Sequence, residues 1–285
     1  MSAPEPFGTR LRRAMDARGP LCVGIDPHPS LLTAWGLGDD VAGLERFAAT
    51  AVDALAEHVA VLKPQSAFFE RFGSRGVAVL ERTVADARAA GALVLLDVKR
   101  GDIGSTMAAY AAAHLAPDAP LAADAITVSP YLGYGSLRPA LDLARAGGRG
   151  VFVLALTSNP EGAEVQTAVT AAGPTVAQTV LDRLREENAA ELAAGAPLGS
   201  FGAVVGATVG ETGADLSFGG PLLAPGVGAQ GATAADLPRV FGSAVGQVLP
   251  SVSRGVLRHG PDPVALRAAA AREAAEIARF AGSGA

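Results

Sequence analysis

The feature that most constrains the fold of this chain is the regular alternation of short apolar runs with longer alanine-rich segments. The runs are rich in Val, Leu and Ile, and the segments between them carry charges at helical spacing. Such alternation is typical of βα units repeated around a parallel sheet. The predicted strands cover 21–26, 59–63, 92–99, 125–129 and four runs that begin at 151, 201, 221 and 247. Eight strands are what a closed barrel requires, so we expect an α/β fold of the (β/α)8 TIM-barrel type.

The segments between the runs favour the same fold. The predicted helices cover 44–58, 76–91, 175–195 and 263–280. Gly91 and Gly195 fall where C-terminal helix caps belong. An open doubly wound sheet fits less well, because no GxGxxG motif opens a helix after the first strand.

The length of 285 residues is compatible with one domain or two. We expect a single TIM-barrel domain over 1–285, because α/β barrels commonly exceed about 200 residues as one unit. Short tails are expected at about 1–8 and 282–285. With 49% hydrophobic residues, the chain can bury a large core.

Composition also limits location and partners. The single cysteine, Cys22, excludes an internal disulfide, and no secretory apolar segment follows the basic stretch TRLRRAM. No apolar run approaches the roughly 18 to 20 residues of a membrane span. We therefore expect a cytoplasmic protein without a membrane segment. The net charge of −5, with no basic run, argues against nucleic acid as partner, whereas a local pocket can still bind an anionic small molecule.

Polar side chains stand at the carboxyl ends of the predicted strands, which meet at one face of a barrel. They are Asp26, His28, Lys63, Asp97, Lys99, Asp102, Ser158, Asn159, Gln230 and Arg254. We therefore expect these residues to converge on one pocket.

Three of these charges are predicted to form an alternating array. The twofold periodicity of a strand places Asp97 and Lys99 on one face, and Lys63 ends the preceding strand. Opposite charges about 4 Å apart attract by about 4 kcal/mol at an effective dielectric of about 20, before desolvation. An isolated Asp-x-Lys is often only a structural ion pair. The whole set of strand-end residues is what indicates a functional site.

The segment DVKRGDIGST, 97–106, resembles the D-x-K-x-x-D-I-x-x-T signature of the orotidine 5'-phosphate decarboxylase family. GIDPHP, VLKPQSAFFERFG, TVSPYLGYGSL, ALTSNPEG, LAPGVGAQG and SRGVL follow in that family's order, and the pattern is most similar to its longer branch. The resemblance implies a TIM-barrel enzyme that converts orotidine 5'-phosphate (OMP) to UMP and carbon dioxide in pyrimidine biosynthesis. It also implies that no cofactor and no metal take part.

The resemblance further implies a role for each matching residue. Lys99 would stabilise a carbanion at C6 and protonate it, while Asp97 would face the departing carboxylate, either repelling it or holding Lys99. Lys63 and Asp102 would complete the array. The family shares its sites across a homodimer, so Asp102, Ile103 and Thr106 would serve the neighbouring subunit's site. The substrate contacts implied are Asp26 at the ribose, Ser158 at the pyrimidine amide, and Gln230, Arg254 and the loop containing Gly228 at the phosphate.

Three alternatives stay open at this stage. One is a magnesium-dependent sugar-phosphate decarboxylase or synthase of the same superfamily. Another is a Schiff-base aldolase that uses Lys99 or Lys63, and the third is a non-catalytic nucleotide-binding barrel. The four histidines lack metal-ligand spacing, and His58 and His114 are expected on helix surfaces. The segments 162–175 and 210–219 are candidates for a loop that closes over the site.

Overall fold

Eight parallel strands close into a barrel in the computed structural model, which describes residues 4–210, 212–228 and 231–281. Each strand pairs with its neighbours in chain order, and β8 closes the barrel against β1. The strands are β1 (Cys22–Ile25), β2 (Val61–Pro64), β3 (Leu93–Arg100), β4 (Ala125–Val128), β5 (Gly150–Leu156), β6 (Phe201–Val205), β7 (Leu222–Pro225) and β8 (Val248–Val252). The predicted TIM barrel and its eight strands are confirmed.

Helices surround the strands. They are α1 (Phe7–Arg18), α2 (Pro29–Ala34), α3 (Val41–Leu55), α4 (Ser66–Glu70), α5 (Gly73–Ala89), α6 (Gly104–Leu115), α7 (Arg138–Ala146), α8 (Ala163–Gln166), α9 (Val176–Ala193), α10 (Leu237–Phe241), α11 (Arg254–Leu257) and α12 (Pro263–Ala281). Four 3₁₀ turns add Tyr134–Leu137, Pro160–Gly162, Ala234–Asp236 and Gly242–Gln247. The predicted helices correspond to α3, α5, α9 and α12. Gly91 and Gly195 follow α5 and α9 with φ of 87°, as predicted for C-terminal caps.

One βα unit departs from the ideal repeat. The described residues between β6 and β7 form no helix. Five glycines lie in 206–220, and each costs a helix about 1 kcal/mol relative to alanine. None of the helices in the described part of the chain has the length and apolar character of a membrane span.

The apolar core has two layers because the strands are covered on both faces. The outer layer packs between strands and helices, and the inner layer fills the barrel with side chains such as Val61, Leu95 and Phe152. Strands buried on both faces read as continuous apolar runs, which explains why the sequence pattern was so clear.

Helix α1 closes the amino-terminal end of the barrel. Phe7, Leu11 and Met15 are buried and join the inner layer, and the Phe7 ring meets Phe152 edge-on at 6.0 Å between centroids. A side chain on Gly150 would collide with the Phe7 ring, so this approach needs glycine. The expected tail at about 1–8 is therefore too long, because Phe7 is 1% exposed and begins the helix. Residues 282–285 lie outside the described residues.

Candidate active site

A cavity of about 930 Å³ opens at the carboxyl ends of the strands. Its lining includes eight of the residues predicted to converge: Asp26, His28, Lys63, Asp97, Lys99, Ser158, Asn159 and Arg254. They follow or end β1, β2, β3, β5 and β8, so residues far apart in the chain meet in one place. The predicted convergence of these eight is confirmed.

The other predicted residues lie elsewhere. Asp102, Ile103, Thr106 and Gly228 do not line the cavity of their own chain. Gln230 lies outside the described residues. Their proposed roles therefore depend on a second subunit, or on a loop of which only part is described.

Asp97 holds both lysines. Its Oδ2 lies 3.2 Å from Lys63 Nζ and its Oδ1 lies 2.6 Å from Lys99 Nζ. Burial favours the neutral form of Asp97, but the two ammonium groups outweigh this effect and hold its pKa below the ordinary value. Burial likewise opposes the charge on Lys63, yet the carboxylates of Asp97 and Asp26 raise its pKa. Asp97 and Lys63 are therefore both charged at neutral pH.

A bulge at the end of β3 places Lys99 in the lining of the cavity. Between the pairs Leu96–Ile126 and Arg100–Val128, β3 passes three residues where β4 passes one. Lys99 takes φ of 47°, the single left-handed non-glycine residue in the described ranges. Such a conformation costs about 1–3 kcal/mol and is commonly found at functional sites. Asp97 and Lys99 do share the cavity as predicted, but through this bulge rather than through regular strand alternation.

Thr127, the single β4 residue opposite the bulge, was missed by the sequence analysis. Its side chain is buried, and its Oγ1 donates to Asp97 Oδ1 at 2.8 Å. The same oxygen accepts the backbone N–H of Lys99 at 2.9 Å. Thr127 therefore fixes both the carboxylate and the backbone of the lysine. The one available signal was a hydroxyl within the apolar run AITV.

Asp26 presents an unsatisfied oxygen at the β1 end of the cavity. It is 9% exposed, and its Oδ1 has no hydrogen-bond partner among the described residues. A buried carboxylate oxygen without a partner is costly, so a hydroxyl donor from a ligand would be favourable there.

The β7 and β8 ends of the cavity offer a cation and backbone amides. Arg254 begins α11 after β8, and the lining also includes Pro225, which ends β7, and the next residues, Gly226 and Val227. Gly226 has φ of 105°, a conformation that disfavours other residues. A guanidinium beside a glycine-containing turn can bind a phosphate group.

Asp102 is not part of the lining of its own cavity. Its Oδ1 accepts the backbone N–H of Ile103 at 2.8 Å, just before α6 begins. Ile103 is 61% exposed, and Thr106 on the first turn of α6 is also exposed. An exposed isoleucine beside a carboxylate is a surface that a second subunit could cover.

Two histidines differ from their expected placement. His58 is exposed as predicted, but in the turn after α3 rather than on a helix, and His114 is 6% exposed, so its assignment to the helix surface is wrong. Burial, assisted by the charge of Arg100, lowers the pKa of His114 to about 4. Within the described ranges, no three His, Cys, Asp or Glu side chains are grouped to hold a metal ion.

The two lysines of the site are also the only lysines in the sequence. The chain has 23 basic residues, yet Lys63 and Lys99 are its only lysines and both line the cavity. The chain uses arginine at every other basic position. A guanidinium does not give up its proton in proteins, whereas a compact ammonium can. Both ammonium groups of the protein's side chains therefore lie in this cavity.

A TIM barrel whose strand ends gather two lysines around one buried carboxylate has the architecture of a barrel enzyme. The model of the orotidine 5'-phosphate decarboxylase / HUMPS family matches residues 19–270, and the chain belongs to that family. It is 72% identical over 274 residues to the orotidine 5'-phosphate decarboxylase of Streptomyces coelicolor, covering 96% of this chain and 97% of the relative. It is 51% identical over 276 residues to that of Corynebacterium efficiens, covering 97% and 98%. The predicted family is confirmed, and the chain is a carboxy-lyase.

Solved structures agree with the sequence comparisons. A crystal structure from Streptomyces avermitilis, assigned to orotidine 5'-phosphate decarboxylase, superposes with a TM-score of 0.95 at 70% identity, covering 99% of this chain and 98% of that one. The Leishmania donovani OMP decarboxylase gives a TM-score of 0.74 at 31% identity, covering 97% and 99%. The fold thus occurs in related proteins of that name.

Proposed function

We propose that this protein decarboxylates OMP to UMP without a cofactor, using Lys99 as the proton donor. The observation that carries the proposal is the Lys63–Asp97–Lys99 array at the strand ends, within a chain that has no other lysine. Asp26 would accept from the ribose hydroxyls, Ser158 would meet the pyrimidine amide, and Arg254 would bind the phosphate. Gln230 and the loop containing Gly228 would complete the phosphate site.

The chemical step balances with these groups alone. The bond from C6 to the carboxylate breaks, carbon dioxide leaves, and the electron pair remains on C6 in the plane of the ring. Lys99 Nζ stabilises this charge and donates a proton to C6, and the neutral amine then takes a proton from water. Enzymes lower barriers by about 8–23 kcal/mol, and fixed charges in a water-poor site are commonly the largest contribution.

The contacts of Asp97 support a positioning role. Lys63, Lys99 and Thr127 already donate to its two oxygens, so it fixes the ammonium groups before substrate binds. The same contacts make the magnesium-dependent alternative less favourable, because a metal ion at Asp97 would face two ammonium groups. The Schiff-base alternative requires a neutral amine, whereas the carboxylates around Lys63 favour its charged form.

We also propose a homodimer in which each Asp102 serves the site of the other subunit. The supporting observations are its absence from the lining of its own cavity and the exposed Ile103 beside it. A carboxylate from the partner would extend the alternating array at its open side, near Lys99.

The direct test is an absorbance assay of OMP with purified protein, with and without EDTA. We expect loss of the OMP absorbance, formation of UMP and carbon dioxide, and equal rates in both arms. Chelator-sensitive turnover of a sugar phosphate would instead identify the magnesium-dependent activity. UMP binding without release of carbon dioxide would identify a nucleotide-binding barrel.

A further inference from the structure

Every side-chain amine of this protein lies in its active-site cavity. The sequence contains two lysines, Lys63 and Lys99, and both line the cavity. Amine-directed chemistry on most proteins is spread over many surface lysines. Here a reagent that modifies side-chain amines can react only at the site.

The two amines are not equally accessible. The Lys63 side chain is 7% exposed, and its charged form is held by Asp97 and Asp26. The Lys99 side chain is 45% exposed at the open side of the array and has an ion pair with Asp97. A reagent that enters the cavity therefore meets Lys99 first.

The sole thiol offers no competing site. Cys22 is buried in the inner layer of the barrel. Burial raises the pKa of its thiol to about 12, so the reactive thiolate is scarce at neutral pH.

We propose that Lys99 is an acylation site through which small activated acyl compounds, acyl phosphates or acyl thioesters, switch the enzyme off. This inference rests on the proposed function, because it is the proposed proton donor that is modified. After Lys99 releases a proton to water, its neutral amine attacks the carbonyl carbon of the donor. The bond from that carbon to phosphate oxygen or thiolate sulfur breaks, and the leaving group departs with the electron pair. One of the two amine protons passes to water, the other stays on the nitrogen, and an amide is formed.

The amide product lacks the positive charge and the transferable proton that the proposed reaction requires of Lys99. An amide nitrogen is uncharged and cannot protonate C6, and Asp97 loses the cation that lies 2.6 Å from its Oδ1. Lys63 keeps its own contact with Asp97, so the fold of the barrel is retained. A nucleotide bound in the cavity would lie over Lys99, so substrate or product should protect it from the reagent.

The test treats the native protein with acetyl phosphate in one arm and acetyl-CoA in another, which distinguishes the two sources. A urea-unfolded sample serves as the control for intrinsic reactivity. Tryptic peptides report each lysine separately. Acetylation of Lys99 blocks cleavage after it, so peptide 89–99 is replaced by 89–100. Lys63 is read from the mass of peptide 47–71, since Pro64 prevents cleavage after Lys63 in either state.

We expect Lys99 to be acetylated before Lys63 in the native protein, and both lysines to react alike in urea. UMP should slow the reaction at Lys99, and turnover should be lost in proportion to Lys99 occupancy. The Lys99→Arg variant should take up no label at position 99.

Native protein that stays unmodified at Lys99 in both arms, or that reacts first at Lys63, would overturn the inference. So would full turnover after complete acetylation of Lys99. Failure of the proposed function is distinguishable, because untreated protein would then not decarboxylate OMP, whatever the peptide map shows.

Discussion

Thr127 donates a 2.8 Å hydrogen bond to Asp97 from the neighbouring strand while its oxygen accepts the backbone N–H of Lys99. One hydroxyl therefore sets both partners of the ion pair on which the proposed chemistry depends. Thr127, which also lines the cavity, is thus expected to act as a positioning residue through its contacts with Asp97 and Lys99.

The Thr127→Val substitution keeps the shape of the side chain and removes both hydrogen bonds. We expect kcat to fall while KM changes little, because Lys99 loses its alignment but the substrate contacts remain. Stability should drop by about 1–3 kcal/mol, since a buried N–H and a carboxylate oxygen lose partners. Thr127→Ser is the matched control and should restore most of kcat. An unchanged kcat in the valine variant, with the folded structure intact, would contradict the positioning role.

Lys99→Ala should abolish turnover without unfolding the protein. Losing a general acid together with an electrostatic stabiliser typically lowers rates by more than about 10⁴-fold. The side chain is 45% exposed, so the melting temperature should change little. OMP turnover and circular dichroism measure the two effects. Near-normal decarboxylation by this variant would refute the mechanism.

The shared site can be tested by mixing two inactive proteins, Lys99→Ala and Asp102→Ala. If Asp102 acts in the partner's site, each mixed dimer has one wild-type site and one doubly substituted site. Mixed dimers should then regain up to half the activity of a wild-type dimer. Differently tagged chains purified as heterodimers provide the measurement. A verified heterodimer that remains inactive would show that Asp102 does not act across the interface.

His114 should make the protein less stable in mild acid. Its pKa is lowered from 6.5 to about 4 in the folded state, chiefly by burial and then by Arg100. Between these values the unfolded chain binds more protons, so stability is lost as the pH falls from about 6.5 to 4. The whole effect is on the order of 3 kcal/mol.

The matching variant is His114→Leu, which removes the titrating group from an apolar position. Denaturant unfolding from pH 7 to 4 should show a flatter loss of stability than in the wild type. His58→Leu, at an exposed histidine, should leave the slope unchanged. Equal slopes in the wild type and His114→Leu would rule out this source of acid sensitivity.

The sequence predicted the strands well because their burial on both faces leaves a continuous apolar signal. It also placed Asp26, Lys63, Asp97 and Lys99 at one face, since parallel strands in a barrel share a direction. The basic stretch TRLRRAM hid the role of α1, because Leu11 and Met15 find their apolar partners only in the closed barrel.

The backbone geometry around Lys99 could not be predicted from the sequence, for a physical reason. A bulge and a φ of 47° arise from the register between β3 and β4, which no local pattern encodes. His114 was misassigned for a similar reason, because the burial of a helix face depends on what packs against it. Secondary-structure propensity is a property of one segment. The bulge, the conformation of Lys99 and the burial of His114 instead depend on contacts between segments.

Helix α1 closes one end of the barrel and leaves the cavity at the other end. Phe7, Leu11 and Met15 fill the far end of the barrel with buried apolar side chains, and among the described residues the charge array lies in the cavity at the other end. A barrel open at both ends would have to be closed at two places to exclude water. In this barrel one cover at the rim, where Val165 and Thr170 line the cavity, would suffice. In the proposed reaction, carbon dioxide would leave through the same opening by which the nucleotide enters.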